Sequence, residues 1–413
     1  MQVLSERCAG LDVHKKTVVA CVMLTASTGE MSKQVRTFAT TTQSLLALAD
    51  WLTAHQVTNV AMESTGVYWR PVFNILEAAF EVVLVNAQHM KAVPGRKTDV
   101  KDSEWLADLL RHGLLQASFI PPQPIRDLRD LVRYRKSLIQ ERSREINRVQ
   151  KVLETANIKL SSVASNVMGV SGRAMIQALI SGEQSPDVLA ELAKGTLHTK
   201  IPELREALLG RVDAHHQLLL THLLAHISFL DQTIFQLFFE IQRLLTPYDE
   251  AVELLVSLPG VAAETAASIL GEIGVDMSGF PSAAHLASWA GLCPGNRQSA
   301  GKRGSGQVNQ GNKRLKAALC EAVWVISHMK DNYLSAQYHR LARRLGKKKA
   351  IVAVAHSLIV IIYHMLRDKQ PYRDLGATFF EARDKERAVK SALRRLEGFG
   401  YTVTLQTHEE VSA

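Results

Sequence analysis

The sequence predicts an α/β domain with a mixed sheet, followed by a long stretch of all-α structure. Three observations carry that prediction. Apolar, β-branched runs alternate with short helical patterns over residues 8–85. From Arg126 to Leu160 there is no strand signal, and apolar residues recur at helical spacing instead. The 413 residues are 46% hydrophobic and 22% charged, ordinary globular values that exclude a disordered or fibrous chain. That length suits roughly two to four domains.

The elements follow in order. The runs Cys8-Ala9-Gly10-Leu11-Asp12-Val13 and Thr17-Val18-Val19-Ala20-Cys21-Val22-Met23-Leu24 are joined by a segment short enough for a hairpin. Ser27-Thr28-Gly29-Glu30 turns the chain into a third strand, Lys33 to Thr37. A helix over Ser44–Ala54 puts Leu45, Leu48, Ala49 and Leu52 on one face. A strand (Asn59–Glu63), a helix near Tyr68–Ala79 and a strand (Glu81–Val85) come next, with Tyr68 and Trp69 read as core. Three strands in a meander, then helix and strand in alternation, is the order of a ribonuclease H-like fold.

Beyond it, Leu128, Leu131, Leu138, Ile146, Val149 and Leu153 trace a helical stripe, and a second long helix is predicted over Asp213–Leu245. The two make a coiled-coil-like arm. Arg126 to Lys151 holds nine basic and four acidic residues, so the arm is either a nucleic-acid contact or a solvated bundle. Pro247 ends it. Leu258-Pro259-Gly260-Val261 before a small-residue helix has the pattern of a helix-hairpin-helix turn, in which Gly260 lets backbone N–H groups face a phosphate; a plain helix turn is the alternative. The expected domains are 1–120 (mixed sheet), 121–246 (helical arm), 247–370 (helical C-terminal domain) and 371–413 (charged tail).

The chain carries a net charge of +9 and a pI near 9.3, which favours a polyanion partner. Cys8, Cys21, Cys293 and Cys320 form no C-x-x-C pair, which excludes a cysteine zinc site and suits a reducing cytosol. The N-terminus lacks the layout of a signal peptide. The longest apolar run, Ile351–Leu366, falls short of the ~20 residues a bilayer span requires, so no membrane partner is expected. Basic charge concentrates in Arg297–Lys349, with thirteen basic and two acidic residues.

Four carboxylates stand out. Asp12 and Glu63 end apolar strands, where a charge is unwelcome unless used. Asp99 and Asp102, three apart, precede the helical pattern of Trp105, Leu106, Leu109 and Leu110. A ribonuclease H-like sheet sets the ends of its first and fourth strands side by side, and a later helix adds carboxylates to that edge. Such a cluster suits Mg²⁺, a hard cation that takes oxygen ligands and assists phosphodiester chemistry. Singly, each has a bland alternative as a strand end or a helix cap. The second candidate is Gly291 to Gly306, a Gly-rich basic loop in which Arg297, Lys302 and Arg303 can neutralise phosphate, followed by Lys313, Arg314 and Lys316. A serine there is either a nucleophile or part of a passive phosphate cradle. His222 and His226 have helical metal-pair spacing without an evident acidic third ligand, and His14 and His89 are possible neighbours of the carboxylate edge. Lys347-Lys348-Lys349 is a nucleic-acid contact or a solvated helix start.

At these residues the chain resembles the DEDD transposases of insertion sequences, the bridge-RNA-guided serine recombinases. The stretches that carry the resemblance are Gly10-Leu11-Asp12-Val13-His14-Lys15, Met62-Glu63-Ser64-Thr65-Gly66, Pro94 to Asp102, Leu258-Pro259-Gly260-Val261, and Gly291-Leu292-Cys293-Pro294 through Arg297-Gln298-Ser299. The resemblance implies a RuvC-like domain whose acidic tetrad is Asp12, Glu63, Asp99 and Asp102, and a C-terminal domain whose nucleophile is Ser299. It implies a 5′-phosphoserine link to DNA, a free 3′-OH, Mg²⁺ at the tetrad, a guide RNA from the element, and a homo-oligomer, dimer to tetramer, with a composite site. Ala300 stands where relatives often have Gly, which leaves Ser305 as a rival nucleophile. Two other readings stay open: a RuvC-like nuclease or junction resolvase that uses water, and a nucleic-acid-binding protein without activity.

Overall fold

A computed structural model describes residues 3–26, 30–64, 66–86, 102–295, 298–299, 302–303, 307–400 and 402–404. It divides into two compact units, Met1–Ile120 and Pro121–Ala413.

The first unit is a five-stranded mixed sheet built from β1 (Arg7–Val13), β2 (Thr17–Thr25), β3 (Met31–Ala39), β4 (Asn59–Glu63) and β5 (Glu81–Val85). Its order is β3-β2-β1-β4-β5. The first three strands pair antiparallel; β4 runs parallel to β1 (Leu11 opposite Met62) and β5 parallel to β4. Period-two alternation sorts the side chains. Ala9, Leu11, Val13, Val60 and Met62 point to one face, where α1 (Thr42–Ala54) and α2 (Trp69–Leu76) cover them with Leu45, Leu48, Leu52, Val72, Phe73 and Leu76. Cys8, Cys21, Met23 and Ala61 point to the other and meet Leu106, Ala107 and Leu110 of α3 (Asp102–Arg111). Trp69 packs against the first core, but Tyr68 is 40% exposed, which corrects its reading as core. It stands just before α2 begins, outside the helix's buried stripe.

The second unit begins with α4 (Gln123–Thr155). A block of short helices follows: α5 (Leu160–Val163), α6 (Val170–Ile180), α7 (Pro186–Glu191) and α8 (Ile201–Ala207). Then comes α9 (Ala214–Leu245), opened by a capping box in which Asp213 accepts from the His216 amide. The two long helices pack antiparallel, Arg135 standing over the ring of Phe238, Arg142 paired with Asp231, and Glu145 beside His226. At 1.5 Å per residue each is about 50 Å long.

The C-terminal part holds α10 (Asp249–Val256), α11 (Ala263–Ile273), α12 (Ala283–Trp289), α13 (Lys313–Ile326), α14 (Tyr333–Leu345), α15 (Lys347–Asp368) and α16 (Phe379–Gly398). Between α12 and α13 the sequence reads as a loop, and the described residues form a β-ribbon instead. Gly295 N–H donates to Gln307 O at 3.0 Å, Pro294 bridges Val308, and β6 (Gln298–Ser299) pairs antiparallel with β7 (Lys302–Arg303). The apolar run Ile351–Leu366 belongs to the longer α15, 22 residues, so its 16 residues understated the helix. Both α15 and the stretch Ala214–Val256 are long and apolar enough, by length and composition, to cross a bilayer. Half of the most apolar window of α15 is buried, with Val354, Leu358, Ile359 and Ile362 in the core.

Candidate carboxylate edge and serine ribbon

Asp12 and Glu63 are the last polar residues of neighbouring parallel strands. Leu11 stands opposite Met62, so the next residue on each strand brings the two carboxylates to adjacent positions at the same end of the sheet. Alternation also puts them on one face. Asp12 follows Cys8 in phase, Glu63 follows Ala61, and both Cys8 and Ala61 pack on α3. Asp102 is the first residue of that helix. The helix lies close because Gly10 has no side chain: a β-carbon there would stand 2.1 Å from the Ser103 carbonyl oxygen. Cys8 Sγ, 3.5 Å from the Ala107 carbonyl oxygen, marks the same approach one turn along.

Asp12 and Glu63 are half-buried, and Asp12 Oδ2 lies 3.2 Å from His14 Nε2. The imidazole is thus an immediate neighbour of the carboxylate, while His89 and Asp99 lie outside the described residues. Among the described residues no three His, Cys, Asp or Glu side chains come close enough to hold a metal. The donor set at this edge is nevertheless all carboxylate oxygen, partly open to solvent and raised from the apolar core on strand ends. That chemistry fits a hard divalent cation.

In the second unit, Ser299 pairs with Lys302 and Gln298 with Arg303. The ribbon is pinched at its base, where a β-carbon on Gly311 would stand 2.3 Å from the Gly291 nitrogen. Lys316 Nζ donates to the Gly291 carbonyl at 3.2 Å, so this expected phosphate ligand holds the ribbon's base. Lys313 and Arg314 are exposed at the start of α13, while Arg297 and Ser305 lie outside the described residues. The start of α13 is fixed by Asn312, whose Oδ1 accepts from the Arg314 and Leu315 amides and whose Nδ2 donates to Glu272 Oε2 at 2.7 Å.

Glu272, which sequence reasoning missed, is 4% exposed and takes both forks of Arg133, at 2.8 and 2.7 Å. Arg129 donates to the Gly271 and Glu272 carbonyls. Burial works against the Glu272 charge, yet the hydrogen bonds from Arg133 and Asn312 and the charges of Arg133 and Arg129 outweigh it. They hold the carboxyl below its ordinary range. Arg135 pairs with Glu264, Lys136 with Glu321, and Arg142 and Arg173 share Asp231. Of the two readings of the arm's basic residues, these pairs favour internal bundle contacts. The turn between α10 and α11 has Gly260 at φ +74°, and a β-carbon there would stand 2.7 Å from the Ala322 carbonyl. The glycine is thus required for close packing on α13. His226 faces Glu141 and Glu145 of α4 at 3.9 and 3.8 Å, acidic neighbours invisible in its own helix.

Two family models match the chain. A DEDD transposase model of IS110 type covers residues 9–158, and the transposase IS116/IS110/IS902 family covers residues 252–339. The insertion element IS110 uncharacterized 43.6 kDa protein of Streptomyces coelicolor is 27% identical over 313 residues, 70% of this chain and 74% of that protein. The pilin gene-inverting protein of Moraxella bovis is 24% identical over 392 residues, 89% of this chain and 98% of its own length. The insertion element IS900 uncharacterized 42 kDa protein of Mycobacterium paratuberculosis is 27% identical over 357 residues, 76% of this chain and 86% of its own. With one model on the carboxylate-bearing sheet and the other on the helices around the serine ribbon, the chain belongs to the IS110 family of DEDD transposases and is a DNA transposase/recombinase.

Proposed function

We propose that this transposase cleaves and rejoins DNA through Ser299, assisted by Asp12, Glu63, Asp99 and Asp102. The observation that carries the reading is the carboxylate edge: two adjacent strand ends and the first residue of α3 share one face of one sheet. A pure binder has no need of carboxylates gathered where a phosphate would be repelled. The Ser299 hydroxyl gives up its proton, and its oxygen attacks phosphorus. An Oγ–P bond forms, the P–O3′ bond breaks, and the departing 3′-oxygen takes up a proton. Rejoining is the reverse step with a different 3′-OH. The four carboxylates would hold Mg²⁺, which when bound supplies Lewis-acid stabilisation of charge on the phosphodiester. His14 orients Asp12 from outside the donor set.

The domain division 1–120, 121–246, 247–370 and 371–413 belongs to this reading: a RuvC-like catalytic domain, a coiled-coil arm, a helix-hairpin-helix-bearing serine domain and a tail. So do a guide RNA that selects the DNA, and a dimer or tetramer in which the carboxylates and the serine of different subunits form one site.

The test is a search for protein–DNA adducts with the element's DNA, its flanking RNA and Mg²⁺. Wild type is expected to give a covalent adduct that Ser299→Ala abolishes and Asp12→Ala suppresses. Undiminished adduct with Ser299→Ala would overturn the nucleophile. Nicked DNA with no adduct in wild type would favour a nuclease that uses water.

A further inference from the structure

The basic charge of this chain falls into two classes that composition cannot separate. In α4, four cations face carboxylates: Arg133 on Glu272, Arg135 on Glu264, Lys136 on Glu321 and Arg142 on Asp231. The knuckle between α14 and α15 is the opposite case. Arg343 and Arg344 close α14, Gly346 turns the chain at φ +81°, and Lys347, Lys348 and Lys349 open α15. All five cations are exposed, and none has an ion-pair or hydrogen-bond partner among the described residues. The sequence has no Asp or Glu between Asp331 and Asp368.

The position of the lysines is informative. The N-terminus of a helix is its positive end and prefers anions, so three lysines there oppose the helix dipole. The first turn of α15 has no acidic residue, and no side chain caps it. A helix start that served only the fold would gain from Asp, Ser or Thr at these positions. A β-carbon on Gly346 would meet nothing within 4 Å, so the backbone at the turn is open to an approaching anion. Arginines in the last turn of one helix and lysines in the first turn of the next flank that opening in the chain.

We propose that this knuckle grips the DNA phosphodiester backbone, without regard to sequence, through Arg343, Arg344, Lys347, Lys348 and Lys349. The paired cations of the arm hold helices together instead. The inference requires only that the chain acts on DNA, so it stands or falls separately from the serine mechanism.

The test is fluorescence anisotropy of the full-length protein with labelled duplex DNA of arbitrary sequence over a range of salt concentrations. The slope of log affinity against log salt should diminish by about 0.9 for every phosphate that the protein no longer neutralises. A Lys347→Gln/Lys348→Gln/Lys349→Gln variant is expected to lower the slope by about two to three, and Arg343→Gln/Arg344→Gln by about one to two. Arg135→Gln/Lys136→Gln is expected to leave the slope unchanged. Melting temperatures of the knuckle variants should stay close to wild type, with the lysine variant no lower since its charges oppose the helix dipole, which separates a weakened grip on DNA from a disrupted fold. Wild-type slopes in both knuckle variants would overturn the proposal, even if binding to a structured RNA fell. An equal fall in the arm variant would overturn it as well.

Discussion

Gly10 and Ser103 approach more closely than any side chain on Gly10 would allow. A β-carbon at Gly10 would lie 2.1 Å from the Ser103 carbonyl oxygen and 2.4 Å from the Ala107 amide nitrogen. Both neighbours are backbone atoms of α3, so no rotamer change relieves the clash. Gly10→Ala is therefore expected to push the helix off the sheet and move Asp102 relative to Asp12. Overpacking of this kind costs about 1–3 kcal/mol. Urea unfolding should show that loss, and strand cleavage should fall by more than stability explains. Full cleavage activity in a folded Gly10→Ala protein would refute the dependence.

Glu272 makes acid stability a test of the second unit. Its carboxyl is held below the ordinary Glu value of 4.5. A depressed folded-state pKa stabilises the protein above the unfolded value and ceases to do so as pH falls through the folded one. Wild type should thus lose this contribution below about pH 4. Glu272→Gln should lack it throughout, leaving the partly exposed Arg133 without its charge partner at a cost of about 1.5–3 kcal/mol near neutrality. Urea melts of the two proteins should converge as the pH is lowered. A constant gap down to about pH 3 would contradict the assignment.

Lys316 and Lys313 stand three residues apart on α13 and should behave differently. Lys316→Ala removes a hydrogen bond from a charged donor to the Gly291 carbonyl, a loss of about 1.5–3 kcal/mol, and should loosen the ribbon. Lys313→Ala, at an exposed position, should change stability by less than about 0.5 kcal/mol. Thermal melts of the two variants decide it, and equal effects would count against the pinch at the ribbon's base.

The thiols offer an inexpensive check of burial. Desolvation raises Cys8 to about 12 and Cys21 to about 11, with Arg111 opposing at Cys8. Both should resist alkylation at about pH 8, just below the usual thiol range, until the protein unfolds. Cys293 and Cys320 are only partly buried and should react first. Native labelling at Cys8 or Cys21 would mean that the packing of α3 on the sheet is wrong.

Much of the first unit was legible because two signals agree there. Continuous apolar runs mark β1, β2 and β4, and carboxylates at the ends of two of them stand out. The adjacency of Asp12 and Glu63 needs only the right strand order, which the meander followed by helix–strand alternation suggests. The arm was legible as helix but not as charge. The partners of Arg142, Arg135, Arg133 and Lys136 lie 89, 129, 139 and 185 residues away in sequence, beyond any local pattern. The serine segment misled for a different reason. Two-residue strands carry no periodicity, and Gly-rich basic composition reads as loop. Tyr68 was misplaced because an aromatic beside a helix start has no spacing to say which way it faces.

The close approach at the ribbon's base has a consequence for how the element's protein can vary. A β-carbon on Gly311 would stand 2.3 Å from the Gly291 nitrogen, and one on Gly291, itself at φ +70°, 2.9 Å from the Gly311 nitrogen. Each glycine leaves room for the other, and a substitution at either meets backbone, which cannot swing aside as a side chain can. Relatives that keep this base are thus held to glycine at both positions together. Gly346, with nothing within 4 Å, is held only by its φ of +81°.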